Sequence, residues 1–570
     1  MISIQPWMPT AIGLTVLFFW FLKEVKAFLF WTYLWQLKNY HIGRFLAHFD
    51  TYNGRKIIYN WNSYFKYFAF FCLLVIFGSN VYIYPGPLND FLVNYGAYAL
   101  IAIPLIFLIY IIEGLAAFWG MIRRRIKSPQ ITSKISFLLP IIFIPLGLIT
   151  VVMTRLFIDE YLSPNELMVF SLITFGLVIL TFDILTPLIV SSIILLLQPI
   201  TVILRNRTIK KAIKKRESLE NLLVIGITGS YGKSSVKEFL KFILSKDFKV
   251  VSTEKNENSE MGISQCILNQ VNEEHEIFIC EMGAYNRAGI KLLADIAKPK
   301  IGILTGINNQ HLATFGSQKN IIKAKFELIN SLPQEGLAVL NWDNEFIRNN
   351  FKSEISSIKY SVKEKEDVWA EDIKGGKEGI SFKVVFKTGE SQFIRANING
   401  VNNIPNLLAA IAVAKKLGMD LENIAERVEE IDFSIGGMKL KKFNGFNVID
   451  ATYSSNIDGI VSHLEYLKNW ENKKIIVMPC LIELGSEGKE AHINIGKKIG
   501  EVCDLAIITS KDYFNDLRRG AVESGMKKEN IIFIEDGEKI LKKISVFASE
   551  GDVVLLESRV PLKVIGKLLK

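Results

Sequence analysis

The hydrophobic positions divide the chain near residue 200. Before that point apolar residues run in long blocks, Met8–Leu22, Phe68–Tyr84, Ala97–Met121, Ile135–Phe157 and Met168–Leu197. A helix rises about 1.5 Å per residue against a hydrocarbon core of about 30 Å, so the later four blocks are long enough to cross a bilayer. The first block runs on toward Leu37 but is interrupted by Lys23, Glu24 and Lys26. One long helix, a span followed by an interfacial helix, and a tight hairpin all remain open there. The connections alternate in charge. Lys38 to Lys66 carries Arg44, Arg55 and Lys56, Pro85 to Gly96 has no Lys or Arg, Arg123, Arg124, Arg125, Lys127 and Lys134 follow, and Asp159 to Glu166 is acidic. Basic connections stay on the cytoplasmic side. The pattern therefore predicts a multi-pass α-helical region over 1–200 in the cytoplasmic (inner) membrane. It has about five spans, or six with the hairpin, and everything after Ile200 lies in the cytoplasm. Glu113 and Asp183 fall inside spans, where charge is costly. They mark either a polar contact for a lipid-linked substrate or pairs with Ser, Thr or Arg155 on neighbouring helices.

Beyond residue 200 the pattern shortens. The basic stretch 201–218, with Arg205, Arg207, Lys210, Lys211, Lys214, Lys215 and Arg216, is helical in character and is expected along the inner leaflet. Leu222–Ile225 reads as a buried strand. A glycine-rich turn follows, and then Val236, Phe239, Leu240, Ile243 and Leu244 on one helical face. Lys249–Val251, Ile277–Cys280 and Ile301–Leu304 are further strands separated by helical patterns, which argues for a parallel, doubly wound α/β sheet. From about Leu337 to Asn399 the pattern becomes an alternation with Gly375, Gly376 and Gly379, predicted as an antiparallel flap that includes strand 380–386. From Phe433 onward, NVIDAT, KIIVMP, LAIITS, NIIFIE and VVLLES give a second α/β domain, Rossmann-like in strand spacing but without G-x-G-x-x-G. The expected organisation is a membrane region 1–200, a linker 201–218, a nucleotide-binding domain 219–432 and a C-terminal domain 433–570.

Composition refines this picture. Half of the 570 residues are hydrophobic, with the excess before residue 200, and the net charge is +10. The basic residues sit beside the apolar blocks, so a membrane surface accounts for them better than nucleic acid does. Cys72, Cys266, Cys280, Cys480 and Cys503 form no C-x-x-C and read as buried thiols in a reducing compartment. No cleavable signal peptide is evident.

The chemistry concentrates in the turn after the first short strand. Thr228, Gly229, Ser230 and Gly232, followed by Lys233, Ser234 and Ser235, form a phosphate cradle between a strand and a helix start. Lys233 is expected to reach the β- and γ-phosphates of ATP, and the Ser234 hydroxyl to bind Mg²⁺. Ile227 occupies the place of the first glycine of the strict G-x-x-x-x-G-K-[ST] spacing, with Gly226 one residue early. Glu281, at the end of the strand Ile277–Cys280, is placed as a Mg²⁺ ligand. The plain alternatives are a strand–turn–helix corner and a strand-end surface charge.

Seven stretches resemble the Mur ligases, ATP-dependent amide-forming enzymes of cell-wall precursor synthesis, and within them the D-alanyl-D-alanine-adding branch. They are GITGSYGKSS at 226–235, TEKNENSEMG at 253–262, EMGAYNRAGI at 281–290, NNQHLATFGSQKNIIKAKFELI at 308–329, NGVNNIPNLLAAIAVAKKLG at 399–418, DATYSSNIDGI at 450–460, and IELG at 482–485 with His492. The resemblance implies a P-loop central domain and a closing C-terminal domain. It implies that His311 binds a second Mg²⁺ and that Lys325 is carbamylated. It places Asn403 and Asn406 near the adenine and Asp450 on the ribose. It implies amide formation between a carboxylate and an amine through an acyl phosphate. The partners are then an envelope precursor with a free carboxylate, lipid-linked in one version, an amino acid or peptide amine, and membrane lipids, with no nucleic acid.

The departures are specific. Gly436, Gly437, Met438 and Lys439 stand where the family has G-R-M-E, leaving Lys439 or Lys441 to supply the arginine's charge. DATYSSN lacks the family's second aspartate, and Pro479, Cys480 and Leu481 precede IELG. The membrane region takes the place of the family's uridine-nucleotide-gripping domain. Competing functions are a poly-γ-glutamate-type polymer ligase, an ATP-gated transporter or flippase, and a degenerate scaffold.

Overall fold

The computed structural model describes residues 7–81, 88–162, 168–254, 257–309, 312–431, 438–452, 456–482 and 484–569. The chain forms two compact units, Met1–Leu204 and Arg205–Lys570.

The first unit is helical. Its elements are α1 (Trp7–Leu37), α2 (Ile42–His48), α3 (Tyr52–Ile58), α4 (Trp61–Val81), α5 (Leu88–Ile122), α6 (Ser133–Leu162) and α7 (Met168–Leu196). Among the described residues three stretches are long and apolar enough to cross a membrane, Ile103–Ile122, Ser133–Asp159 and Leu172–Leu196. The ambiguity in the first block resolves as one helix, because the charges that interrupt it have partners on α7. Lys23 pairs with Asp183, and Glu24 accepts from Thr186 at 2.8 Å. The expected span Phe68–Tyr84 begins earlier, at Trp61, and its last residues lie outside the described ones. The basic connection after α1 is partly helical, and α2 folds back so that Phe45 stacks on Trp35 at 4.1 Å. Trp20, Phe28, Trp35 and Tyr110 fill the centre of the bundle. Leu148, Val151, Leu188 and Leu196 point outward, each more than 60% exposed. Glu113 and Asp183 do not pair with Arg155, which lies near Asp159 at 3.9 Å; both carboxylates bond Lys66.

Helix α8 (Gln198–Glu217) contains the basic stretch. From Arg205 onward its two faces differ. Ile209, Ala212 and Arg216 are buried, and the Arg216 guanidinium donates to the carbonyls of Leu219, Leu222 and Ala297 at 2.9–3.1 Å. Arg207, Lys210, Lys211 and Lys214, at the i, i+3, i+4, i+7 spacing of a single helical face, are exposed.

The second unit holds two sheets. The larger has β1 (Leu223–Thr228), β2 (Val250–Ser252), β3 (Ile277–Glu281), β4 (Ile301–Leu304), β5 (Leu337–Asn341), β6 (Ser356–Ser361), β7 (Val368–Gly376), β8 (Gly379–Phe386) and β9 (Ser391–Ala396), in the order β2-β3-β1-β4-β5-β6-β7-β8-β9. The strands from β2 to β7 in that order run parallel. The antiparallel flap expected over 337–399 is smaller than that range: β5 and β6 extend the parallel sheet, and only β7–β9 pair antiparallel, as its continuation. β3, β4 and β5 are buried at every position, as strands covered on both faces must be. The order reverses between β1 and β4, and the carboxyl ends there open the crevice that receives ligands in such sheets.

The smaller sheet has β10 (Lys439–Phe443), β11 (Phe446–Ala451), β12 (Lys474–Met478), β13 (Leu505–Ile508), β14 (Ile531–Phe533) and β15 (Val553–Glu557), in the order β10-β11-β15-β12-β13-β14. All pairs are parallel except β10 with β11. β10 escapes the hydrophobic pattern because KLKKF is an exposed edge strand.

Candidate active site

β1 delivers the chain to the reversal point, and helix α9 (Lys233–Leu244) starts immediately after Gly232. Gly232 is in the left-handed region (φ +78°), and a Cβ on it would strike Asn406 Oδ1, so both conformation and space demand glycine. The loop is tied to the end of β4. Ser230 N–H donates to Gly306 O at 2.7 Å, and Ser230 Oγ accepts from Asn308 N–H at 3.1 Å. Thr228 Oγ1 donates to Met282 O at 2.9 Å. Lys233 folds over the loop, with Nζ donating to Gly229 O at 2.8 Å. Burial lowers its pKa, and the Glu281 carboxylate opposes that fall. Ser235 lies in the first turn of α9, beside Lys233 and Ser234.

Glu281 is almost wholly buried and fully engaged. Its Oε2 accepts from Ser234 Oγ at 2.8 Å and its Oε1 from Asn258 Nδ2 at 3.1 Å. Its N–H donates to Thr253 Oγ1 at 3.1 Å. Beneath it Lys237, 1% exposed, donates to Thr253 O at 2.7 Å and lies 3.9 Å from Glu281 Oε2. The serine hydroxyl and the carboxylate converge as hard oxygen ligands, the carboxylate held by the Asn258 amide NH2, and this pair fits Mg²⁺, which keeps several waters and phosphate oxygens. Among the described residues no group of three or more His, Cys, Asp or Glu side chains gathers as a ligand set.

Lys325 comes from the helix Gln318–Asn330, whose N-cap Ser317 accepts from Asn320 N–H. It is 4% exposed and lines one cavity with Gly229, Ser230, Lys233, Asn258 and Gly283. Burial, and then the positive charge of Lys233, lower its pKa to about 7, against an opposing pull from Glu327. Glu327 itself is held by Ala288 N–H and Lys291 N–H at 2.6 and 3.0 Å. His311 lies outside the described residues, as do 432–437, 453–455 and Glu483.

Asn406 Nδ2 donates to Asn403 Oδ1 at 3.2 Å, and Asn403 Nδ2 donates to Asn399 O at 2.9 Å, which fixes the amide that stands over Gly232. Asp450, the penultimate residue of β11, accepts from both Thr452 N–H (3.0 Å) and Thr452 Oγ1 (2.6 Å), an Asx-type turn. Of the two lysines considered as substitutes for the missing arginine, Lys441 is bonded to Leu569 O, while Lys439 lies opposite Asp450 in the β10–β11 register. His492 is fully buried. Its Nε2 accepts from Leu481 N–H at 2.9 Å, its Nδ1 donates to Gly488 O, and its ring stacks on Tyr513. A neutral ring satisfies both bonds, and burial lowers its pKa accordingly.

Sequence reasoning passed over Lys237 and left Asn258 unassigned within the matching stretch 253–262. Lys237 carried a signal, since it stands one turn after Lys233 beside the apolar residues of α9. Contacts between the two α/β domains were not readable at all: Asn308 Nδ2 to Asp458 Oδ2 (2.7 Å), Asn309 to Glu487, and Tyr466 OH to Asn399 Oδ1 (2.7 Å).

Residues 227–414 match the family model of the Mur ligase middle domain, and 438–559 match that of the Mur ligase glutamate ligase domain. The chain belongs to the Mur ligase family. Members use ATP and Mg²⁺ and form amide bonds, and this Mur ligase is an ATP-dependent amide ligase. It is 28% identical over 340 residues to UDP-N-acetylmuramoyl-tripeptide–D-alanyl-D-alanine ligase of Synechocystis sp., covering 59% of this chain and 71% of the relative. It is 30% identical over 282 residues to the enzyme of that name from Buchnera aphidicola, where it spans 61% of the relative. Among solved structures it resembles the MurF ligase of Thermotoga maritima in complex with ADP, with a TM-score of 0.56 and 25% identity over 64% of this chain and 82% of that one. The polymer-ligase, transporter and scaffold readings gain no support from these relatives.

Proposed function

We propose that this Mur ligase is anchored in the inner membrane by a multi-pass bundle and completes a peptidoglycan-type precursor in the cytoplasm. The precursor's carboxylate takes the γ-phosphoryl of ATP, ADP leaves, and an amine attacks the acyl phosphate to give the amide and phosphate. The relatives' names point to D-alanyl-D-alanine as the amine and to a muramoyl tripeptide as the carboxylate. The N-terminal unit supports a lipid-linked version of that acceptor.

The observation that carries the reading is the gathering of Lys233, Ser234, Glu281 and Lys325 around one loop. Thr228, Gly229, Ser230, Gly232 and Ser235 shape the cradle for the phosphates, and the start of α9 adds its dipole. Ser234 and Glu281 would hold the first Mg²⁺, with Asn258 orienting the carboxylate and Lys237 standing 3.9 Å behind it. His311 and Lys325 would hold the second. Bound there, the ions neutralise charge on the transferring phosphoryl group. Lys233 supplies the protein's own positive charge to that group. Lys325, largely neutral just above pH 7, can attack CO₂ to form a carbamate, which turns a cation into an anionic oxygen ligand. Asn403 and Asn406 line the nucleotide end, and Asp450 meets the ribose as the C-terminal domain closes and excludes water.

Phosphate release by the purified full-length protein tests the proposal. The panel pairs UDP-linked and lipid-linked muramoyl tripeptides with D-alanyl-D-alanine and with single amino acids. Release that requires both a tripeptide carboxylate and the dipeptide supports it; release with neither acceptor class overturns it.

A further inference from the structure

The helical unit contains a chain of ionised groups that the ligase chemistry does not use. It begins at Glu113 on α5, whose side chain is 23% exposed and which also bonds Asn62. Glu113 Oε2 lies 2.6 Å from Lys66 Nζ on α4, and Lys66 lies 2.8 Å from Asp183 Oδ2 on α7. Asp183 pairs in turn with Lys23 on α1, and Lys23 is 2.7 Å from Glu24, which is 0% exposed. Signs alternate along the whole run, from a half-open carboxylate to a sealed one.

Among the described residues the charges do not balance. Three carboxylates, Glu24, Glu113 and Asp183, face two ammonium groups, Lys23 and Lys66. The other polar neighbours are neutral: Tyr110 OH donates to Asp183 Oδ2 at 3.1 Å, and Thr186 meets Glu24. Lys26, two residues beyond Glu24, is exposed. α6, also packed on α1, brings no charge among its described side chains, since Arg155 lies near Asp159 and Lys134 stands over the Tyr40 ring. An unpaired negative charge inside an apolar bundle is expensive enough that the group takes up a cation or a proton instead.

Hydrogen-bond accounting says where. Thr186 Oγ1 lies 2.8 Å from Glu24 Oε2 and 2.9 Å from Phe182 O. A hydroxyl has a single proton, and a carbonyl can only accept. Thr186 therefore shares one proton between Phe182 O and Glu24, whereas Asp183 meets both ammonium groups and the Tyr110 hydroxyl, and Glu113 is half open to solvent; Glu24, 0% exposed with a single ammonium partner, is the carboxylate whose charge is least compensated. We infer that the N-terminal bundle binds one proton at neutral pH, held on Glu24 at the closed end of a relay that opens at Glu113. The site thus takes a monovalent charge, and its geometry selects H⁺ because the sealed end offers a single acceptor oxygen to the newcomer rather than a coordination shell.

This rests on the membrane-spanning reading, and the test separates the two. The full-length protein is reconstituted in lipid nanodiscs, and its retention there checks the membrane reading independently. Infrared spectroscopy then follows the carbonyl stretch of a protonated carboxyl. The expected result is a band at neutral pH that Glu24→Gln removes. Glu113→Gln, at the half-open end, leaves two carboxylates against two ammoniums and should also remove it, although Glu24 is intact. Lys66→Met should add a second protonated carboxyl. Circular dichroism and thermal melts confirm that each variant is folded. No band in a retained wild-type protein, or a band that survives Glu113→Gln, overturns the inference. So does a band that appears only when sodium is replaced by choline, since the counter-charge would then be a metal cation.

Discussion

Replacing Lys325 gives the sharpest test of the proposed metal chemistry. Burial beside Lys233 brings its pKa from the ordinary 10.5 to about 7. At pH 8 about nine-tenths of such amines are neutral, against about one in three hundred for an exposed lysine. Only the neutral amine captures CO₂, so carbamate should form readily at pH 8 and poorly at pH 6. In ¹³C-bicarbonate the wild type should show a carbamate carbonyl resonance that Lys325→Ala lacks. The variant should also lose a ligand contact worth several kcal/mol, about a thousand-fold in ligation rate, while ATP affinity changes little. Excess bicarbonate should not restore it, whereas Lys325→Glu, which carries a carboxylate on a shorter arm, should retain part of the rate. Stability in CO₂-free buffer gives an independent reading. Between pH 7 and 10.5 the unfolded chain holds a proton that the folded chain has lost, so wild-type stability rises with pH across that window. The full span corresponds to on the order of 5 kcal/mol. Lys325→Met should therefore gain most over wild type at pH 6 and lose that advantage toward pH 10. Wild-type ligation by Lys325→Ala, together with no carbamate resonance at saturating bicarbonate, would refute the reasoning.

Lys233→Ala should abolish nucleotide turnover while circular dichroism shows the protein folded; unchanged turnover removes the phosphate-loop assignment. Asn258→Ala deletes a hydrogen bond to the Glu281 carboxylate, worth roughly 1.5–3 kcal/mol, and should raise the Mg²⁺ concentration for half-maximal rate by about ten-fold or more. Cysteines introduced at Asn89 and Asn165 should be labelled from outside intact cells and one at Lys215 should not; labelling at Lys215 reverses the topology. Reversing Arg207, Lys210, Lys211 and Lys214 to Glu in a 205–570 fragment should release it from anionic vesicles, since each basic residue near such a surface contributes about 1 kcal/mol. Salt should weaken the unmodified fragment's binding in the same direction.

What the sequence revealed follows from the range over which each signal acts. Ile301–Leu304 is read to the residue because a strand covered on both faces is a continuous apolar run bounded by turns. The phosphate loop is legible because glycine positions, lysine and serine all lie within one turn of chain. The flap over 337–399 was drawn too large because β5 is an apolar run and β6 is mixed, and neither carries its pairing direction in its own residues. Lys23 and Glu24 looked like a break in a span because their partners are more than 150 residues away, on α7. Asn258 and Lys237 were passed over for a related reason. A polar residue in a loop, or a lysine on a helix, is ordinarily solvated, and only the fold brings these two to Glu281.

The helical unit, if it spans the membrane as proposed, bears on how the proposed acceptor reaches the ligase. A nucleotide-gripping domain supplies affinity from solution. A tethered enzyme with a lipid-linked acceptor gains its encounter rate from confinement in a shared surface instead, which raises effective concentration without any new contact. The two arrangements give different kinetics. With the full-length protein in mixed micelles and a lipid-linked tripeptide, the rate at fixed bulk acceptor should fall as inert detergent or lipid is added, because the acceptor is diluted within the surface. It should then depend on the acceptor's mole fraction in the micelle rather than on its concentration in the tube. A UDP-linked tripeptide stays in solution, so its turnover should be indifferent to the added lipid. If the lipid-linked acceptor also shows no surface dilution, the helical unit does not serve substrate capture. If only the UDP-linked acceptor is turned over, the lipid-linked version of the substrate is wrong while the ligase chemistry stands.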